Sequence, residues 1–374
     1  MKDYTTVYVG MDVHKENFTL CCYTIESEKC AHLQKIVSDY KLVLKYIERM
    51  RTFYGDHADF VCGYEAGCLG YTLYHQLTAH NVKCIILAPT TMMRERGKKK
   101  VKTDRKDAEL IAKCLAYHTY SPVYVPSEQD EQVKEYIRMR HDHKMALAKV
   151  KQQIISFCTR HNYVFTGTRH NWTRDHIRWL RSLRPEGLYH EILTEYLNTL
   201  EVLNQKVERI DQRIDELAGQ KEYQEDVRKL SCFIGIRTQA ALSIIVETGD
   251  FRRFSHAEQF ASYVGLVPGE DSSGEEVKRL GITKAGNGQM RRLLVEAAQC
   301  YNRSLPTYKS KTLIEKQKGN APDVIAYADK ANIRLRKKYY RMVLNQSKKS
   351  NVAKTAVARE LACFIWGMMT GNIA

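Results

Sequence analysis

The chain has 374 residues, which at roughly 100 to 200 residues per domain implies two or three domains with cores of their own. Lys and Arg total 59 against 43 Asp and Glu, a formal charge of +16 that favours an anionic partner. With 44% apolar and 27% charged residues, 7 Pro and 20 Gly, the composition excludes a disordered, collagen-like or low-complexity chain.

The first six residues are polar, and the first apolar run, 7–13, closes at His14 and Lys15, unlike a signal peptide. No run reaches the roughly 18 apolar residues of a membrane span, so no membrane partner is expected. Eleven cysteines without a C-x-x-C pair argue against a zinc ribbon or a disulfide framework and fit a reducing cytoplasm.

In chain order, 7–13 predicts a buried strand and 17–24 a second strand hairpinned to it. Residues 40–54 have helical spacing, 59–64 predict a strand, and a turn with Gly67 and Gly70 leads to a helix over 71–80. A strand over 82–87 closes at Pro89, and 104–117 predicts a helix. The first 125 residues therefore read as α/β. A helix is expected from 128 to about 157, and the Arg-, His- and Trp-rich stretch 160–185 is less regular.

Tyr196, Leu200, Leu203, Val207, Ile210, Ile214 and Leu217 then form a heptad seam, suited to a hairpin with the preceding helix or to an intermolecular coiled coil. Short helices follow at 240–247, 257–265 and 290–301, with a glycine-rich loop over 268–276. The chain ends on a basic helix, 331–344, and an apolar one, 355–370. The expected fold is α/β plus all-α: an α/β domain over 1–125, a helical coiled-coil region over 126–222, and a mostly helical C-terminal domain over 223–374.

The charge is localised. Between Lys278 and Arg359 there are 20 basic and four acidic residues, so the whole net excess falls there. Smaller basic zones span 94–113 and 134–184. Tyr163, Trp172 and Trp179 lie in or beside the second zone, where rings among cations can stack on unpaired bases.

Asp12 and Glu65 end strands, and in an α/β sheet strand ends face the ligand crevice. Asp104 and Asp107 share a helix face at i and i+3. Four carboxylates meeting in so basic a protein repel one another unless cations lie between them, and such oxygen-rich sites suit Mg²⁺ or Mn²⁺. The alternative for each is structural: Thr103 or Asp104 as a helix cap, Asp107 favouring the first turn, Asp12 in a turn. Histidine ligation is not expected, and His14 reads equally as a hydrogen-bonding neighbour of Asp12.

Val9-Gly-Met-Asp-Val-His-Lys15, Tyr64-Glu-Ala-Gly67 and Lys102-Thr-Asp-Arg-Lys-Asp-Ala108, in this order, resemble the RuvC-like catalytic domain of the DEDD transposases of the insertion sequence one-ten family, which includes the Piv DNA invertases. Glu65-Ala-Gly-Cys-Leu-Gly-Tyr71 resembles the branch with the longer turn. The resemblance implies an RNase H-like mixed sheet and makes Asp12, Glu65, Asp104 and Asp107 the metal-binding catalytic tetrad.

Phe260-Ala-Ser-Tyr-Val-Gly-Leu-Val-Pro268, Ser272-Ser-Gly274, Ile282-Thr-Lys-Ala-Gly-Asn287 and Arg291-Arg-Leu-Leu294 are similar to the second signature of the same family. The resemblance implies a nucleophilic serine that links covalently to DNA, carried over to Ser273, with Ser272 the weaker candidate. A serine needs a base or a metal for activation, and no local Asp-His pair accompanies Ser273. The family's arrangement supplies a composite site, in which the tetrad's metals meet the phosphate that the serine attacks. Residues 230–241 are placed like the family's helix-hairpin-helix, whose backbone amides grip phosphate. Here the usual Pro-Gly-Ile-Gly reads Phe233-Ile-Gly-Ile236, so plain helix packing is the alternative.

The resemblance further implies an insertion-sequence transposase or site-specific recombinase acting on donor and target DNA in a bacterial cytoplasm, at the nucleoid. It also implies a structured bridge RNA as guide and a dimer or tetramer. Lys98, Lys99, Lys100, Lys102, Arg105, Lys278, Arg279, Lys284, Arg291 and Arg292 are the candidate nucleic-acid contacts. The rivals are a metal-dependent junction nuclease using water as nucleophile, and a non-enzymatic nucleic-acid scaffold.

Overall fold

The computed structural model describes residues 5–67, 69–89, 91–92, 103–167, 170–273, 276–303 and 307–373. The chain divides into two compact units, Met1–Val125 and Pro126–Ala374.

In the first unit, β1 (Thr6–Val13), β2 (Asn17–Tyr23) and β3 (Cys30–Val37) form an antiparallel meander. α1 (Tyr40–Tyr54), β4 (Asp59–Glu65), α2 (Thr72–Ala79), β5 (Lys83–Leu87) and α3 (Asp104–Tyr117) complete it. The sheet order is β3-β2-β1-β4-β5, with β4 parallel to β1 and to β5. This mixed sheet with helices on both faces is consistent with an RNase H-like α/β domain.

Alternation along β1 sorts its side chains. Val7, Val9 and Met11 join Val43, Tyr46 and Met50 of α1 and Leu77 of α2 in one core. On the other face, Gly10 lies under α3, where an added Cβ would meet the Ala108 carbonyl oxygen at 2.1 Å. Only a residue without a side chain lets the helix come this close. Thr103 caps α3, its Oγ1 accepting from Lys106 N–H at 3.3 Å. The sequence did not announce β3, because Cys30–Val37 buries none of its residues fully and carries His, Gln and Lys.

In the second unit, α4 (Glu128–Arg160) and α6 (Leu188–Ala218) form a long antiparallel hairpin, with α5 (Arg174–Ser182) near its far end. The heptad seam is used inside the chain: Leu200 and Val207 pack with Leu147, Val150 and Ile154 of α4, and Ile210 and Ile214 join Val133. It is therefore a hairpin seam, not a free contact for a second copy. Tyr163, Trp172 and Trp179 are half-buried against the same distal core, and Trp179 stacks on His176.

α7 (Gln224–Ser231), α8 (Thr238–Thr248), α9 (Ala257–Tyr263), α10 (Gly288–Ala298), α11 (Lys311–Gln317), α12 (Pro322–Tyr340) and α13 (Ser350–Thr370) build the rest around one core. Val357, Leu361 and Ile365 of α13 are fully buried, and α13 packs on α9, α10 and α12. The expected glycine-rich loop is instead a two-stranded sheet, β6 (Pro268–Ser273) and β7 (Glu276–Ile282).

Candidate functional site

The register of the first sheet aligns the carboxylates before any helix is considered. Asp12 pairs with Thr19, and Thr19 pairs with Lys35, so these three stand in one row across β1, β2 and β3. Met11 pairs with Tyr64 in the parallel ladder, which makes Asp12 and Glu65 the next residues on adjacent strands. Asp12 shares the face of Gly10, two residues before it, and that face meets α3. The first turn of α3 carries Asp104 and Asp107.

The contacts follow from this placement. His14 Nε2 lies 3.0 Å from Asp12 Oδ2 and 4.0 Å from Asp104 Oδ1. Lys35 Nζ donates to Asp104 Oδ2 at 3.0 Å. Ligand atoms of Asp12, His14 and Asp104 all fall within 4.8 Å of one another, a spacing that suits one metal ion. Glu65 ends β4 half-buried beside them and is not one of this close group.

Burial pushes the Asp12 carboxyl above its ordinary pKa; the nearby His14 offsets this in part, and the negative charges of Asp107 and Asp104 add to it. The hydrogen bond from Lys35 holds Asp104 below its ordinary value. The Oγ1 of Thr19, buried beside Asp12, has no hydrogen-bond partner among the described residues. Hard oxygen donors, mutual repulsion felt by Asp12 and an orphaned hydroxyl make a set that a divalent cation fits. Lys35 and Thr19 were not read from sequence as parts of this site, whereas His14 was read as a neighbour of Asp12 and does lie 3.0 Å from it. Its signal is that i and i+2 on a strand end share a face.

In the second unit, β6 and β7 place Ser273 as the last paired residue of its strand, opposite Glu276. The side chains of residues 271–279, with those of Ser272, Ser273, Lys278 and Arg279, lie outside what the structure describes, as do residues 274 and 275. The foot of the hairpin is firmly tied. Lys284 N–H donates to Gly265 O at 3.2 Å and Asn287 N–H to Tyr263 O at 2.9 Å. Gly265 has φ +71°, and a Cβ there would meet Ala285 O at 2.1 Å, so the two signature loops cross only over glycine. Arg291 Nη1 donates to the carbonyls of Val264 and Lys284, both at 3.0 Å, which clamps the same crossing.

Glu247, buried on α8, adds a second tie: it accepts from Asn287 Nδ2 at 2.9 Å and pairs with Lys134 at 3.4 Å and Arg138 at 3.3 Å on α4. Of the other candidate contacts, Lys284 is exposed, Arg105 pairs with Glu109 at 2.8 Å, and Arg292 Nη1 lies 2.7 Å from His141 Nδ1. Lys98, Lys99, Lys100 and Lys102 lie outside the described residues. Between α7 and α8, the Ile234 amide donates to Asn332 Oδ1 at 3.0 Å, so that turn uses the amide internally.

A family model for DEDD transposases of the IS110 type matches residues 9–162, and the model described as Transposase IS116/IS110/IS902 family matches residues 227–313. Together they cover more than half of the chain. The chain belongs to the IS110 transposase family. The putative transposase y4qE of Sinorhizobium fredii is 33% identical over 367 residues, 98% of this chain and 89% of its own length. The transposase for insertion sequence element IS1533 of Leptospira borgpetersenii is 30% identical over 341 residues, 89% of this chain and 95% of its own. That for IS1111A of Coxiella burnetii is 29% identical over 170 residues, 46% and 40% of the two chains. The protein is thus a DNA-processing enzyme, an insertion-sequence transposase. The first match contains Asp12, Glu65, Asp104 and Asp107, the second contains Ser273, and α12 and α13 lie beyond both. No helix among the described residues is long and apolar enough to cross a membrane.

Proposed function

We propose that the transposase cleaves and rejoins DNA strands through a covalent serine intermediate, with Asp12, Glu65, Asp104 and Asp107 holding Mg²⁺ or Mn²⁺ and Ser273 as the nucleophile. The observation that carries this reading is the meeting of Asp12 and Asp104, one from a strand end and one from a helix start, within 4.8 Å of each other and of His14. A divalent cation held there polarises a phosphate oxygen and stabilises a leaving oxygen. Asp12 and Asp104 supply the negative charge that holds it, Lys35 orients Asp104, and Glu65 and Asp107 add carboxylates at the rim.

Ser273 Oγ gives up its proton and forms a bond to phosphorus as the phosphorus–oxygen bond to one deoxyribose breaks, and the departing alkoxide takes up a proton to become a free hydroxyl. Attack by the hydroxyl of another strand reverses the step and frees the serine. The phosphodiester energy is conserved, so rejoining needs no nucleotide cofactor. Residues 1–125 then serve as the metal-bearing domain, 126–222 as a helical spacer and 223–374 as the serine-bearing domain. A structured bridge RNA selects donor and target DNA, and two or more copies act together.

Recombination between element ends and target in cells tests the assignment. Asp12→Asn, Asp104→Asn and Ser273→Ala each remove recombination on this reading. Full activity in Asp12→Asn favours a scaffold, and strand cleavage surviving in Ser273→Ala favours a nuclease that uses water.

A further inference from the structure

Two cysteines on neighbouring strands meet beneath α3. β2 and β3 pair Tyr23 with Cys30 and Cys22 with Ala31, and the register then shifts before Leu20. Cys21 falls in that shift, and His32 on the facing strand has φ +54°, the mark of a bulge. Side chains alternate along a strand, so Cys21 shares the face of Tyr23, and Cys30, paired with Tyr23, shares it too. That face packs on Ala108, Ala112 and Ala116 of α3. There the Cys21 thiol donates a hydrogen bond to the Cys30 sulfur.

The two thiols are not equivalent. Cys21 is fully buried, whereas Cys30 is half-buried at the start of the edge strand β3. The hydrogen bond from Cys21 draws the Cys30 thiol below its ordinary pKa; burial and Glu109 oppose this, and Lys113 and Arg105 support it. The same hydrogen bond, with burial, keeps Cys21 protonated. A thiol that reaches solvent, favours its thiolate and touches a second thiol has the attributes of a peroxide-reactive cysteine beside its resolving partner.

We propose that Cys30 and Cys21 close to a reversible disulfide on exposure to hydrogen peroxide, with Cys30 as the attacking sulfur. The Cys30 thiolate attacks one peroxide oxygen, the oxygen–oxygen bond breaks, and the departing hydroxide takes up a proton, which leaves Cys30 as a sulfenic acid. Cys21 Sγ then attacks the Cys30 sulfur. The sulfur–sulfur bond forms, the sulfur–oxygen bond breaks, and the hydroxyl departs as water with the proton of the Cys21 thiol. The thiol pair loses two electrons and the peroxide is reduced to water. A dithiol reductant reverses the change by thiol–disulfide exchange. The bond ties β2 to the strand whose Lys35 holds Asp104. This chemistry is independent of the serine and metal assignments.

The test treats reduced full-length protein, freed of reductant, with hydrogen peroxide. Remaining thiols are alkylated under denaturing conditions, and unreduced peptides are mapped by mass spectrometry. Wild type is expected to give a Cys21–Cys30 link within one chain, more abundant by about tenfold than any link to Cys300 or Cys363, which are half-buried as Cys30 is, and removed by dithiothreitol. Cys22→Ala is expected to form the same link. Cys21→Ala is expected to stop at a sulfenic acid on Cys30 that dimedone traps, and Cys30→Ala to remove both products. Full alkylation of Cys21 and Cys30 in peroxide-treated wild type overturns the proposal. So does a link through Cys22, a link formed only between chains, or Cys30 carried on to sulfinic acid with Cys21 still alkylated. The wild-type readout decides by itself where a variant fails to fold.

Discussion

His14 Nε2 stands 3.0 Å from Asp12 Oδ2, so an exposed imidazole lies against the carboxylate one residue before the end of β1. In a site built for a hard cation the oxygens carry the affinity and the ring tunes it. Asp12→Asn should weaken Mn²⁺ binding, read by titration calorimetry, by more than about 100-fold, whereas His14→Asn should cost about tenfold. The reverse order would mean a site centred on histidine.

Gly10 sets how closely α3 approaches the sheet, and through it where Asp104 and Asp107 stand. Gly10→Val forces the helix away from the Ala108 carbonyl contact. It should destabilise the first unit by about 3 kcal/mol in urea unfolding, the upper range for overpacking, and should weaken Mn²⁺ binding with every ligand still present. Wild-type stability would contradict the close packing described here.

Asp12 and Glu65 stood out in the sequence because each is a carboxylate at or next to the end of an otherwise largely buried strand, β1 and β4. Asp104 and Asp107 were expected on one helix face and both stand in the first turn of α3, where Asp104 alone of the two joins the close group with Asp12 and His14. Lys35 did not stand out, because β3 is half-exposed and its alternation is masked by His32, Gln34 and Lys35 itself. The strand of Ser273 did not either: Pro268–Ser273 reads PGEDSS, which has turn chemistry and no β-branched residue, and pairing with β7 overrides that local preference. Glu247 lay inside an apolar helix pattern, and nothing in the pattern tells that Lys134 and Asn287 converge on it.

Glu247→Leu leaves Lys134 and Arg138 without their shared buried partner and unties Asn287. Because Lys134 is nearly buried and Arg138 is not, a loss of about 3 kcal/mol is expected, at the low end for a broken buried pair. Adding Lys134→Met should restore part of it. A loss under about 1 kcal/mol would show that water replaces the tie.

Burial raises the pKa of Glu360, but hydrogen bonds from Lys338 and Arg334 outweigh it and hold the carboxyl below its ordinary value. The pair's stabilisation is therefore full above the ordinary carboxylate pKa and is lost as pH falls through the lowered folded value. With Arg334 mostly exposed, Glu360→Gln should cost about 1 to 2 kcal/mol at neutral pH. The difference from wild type should shrink below about pH 4 in urea unfolding. A difference independent of pH would contradict the ion-pair account.

The most direct test of the central claim is mass spectrometry of the protein after incubation with element-end DNA, the element's structured RNA and Mg²⁺ under denaturing quench. The account predicts a nucleotide joined through phosphate to the peptide carrying Ser273 in wild type, and none in Ser273→Ala or Asp12→Asn. An adduct that persists in Ser273→Ala, or one mapped to another residue, would contradict it.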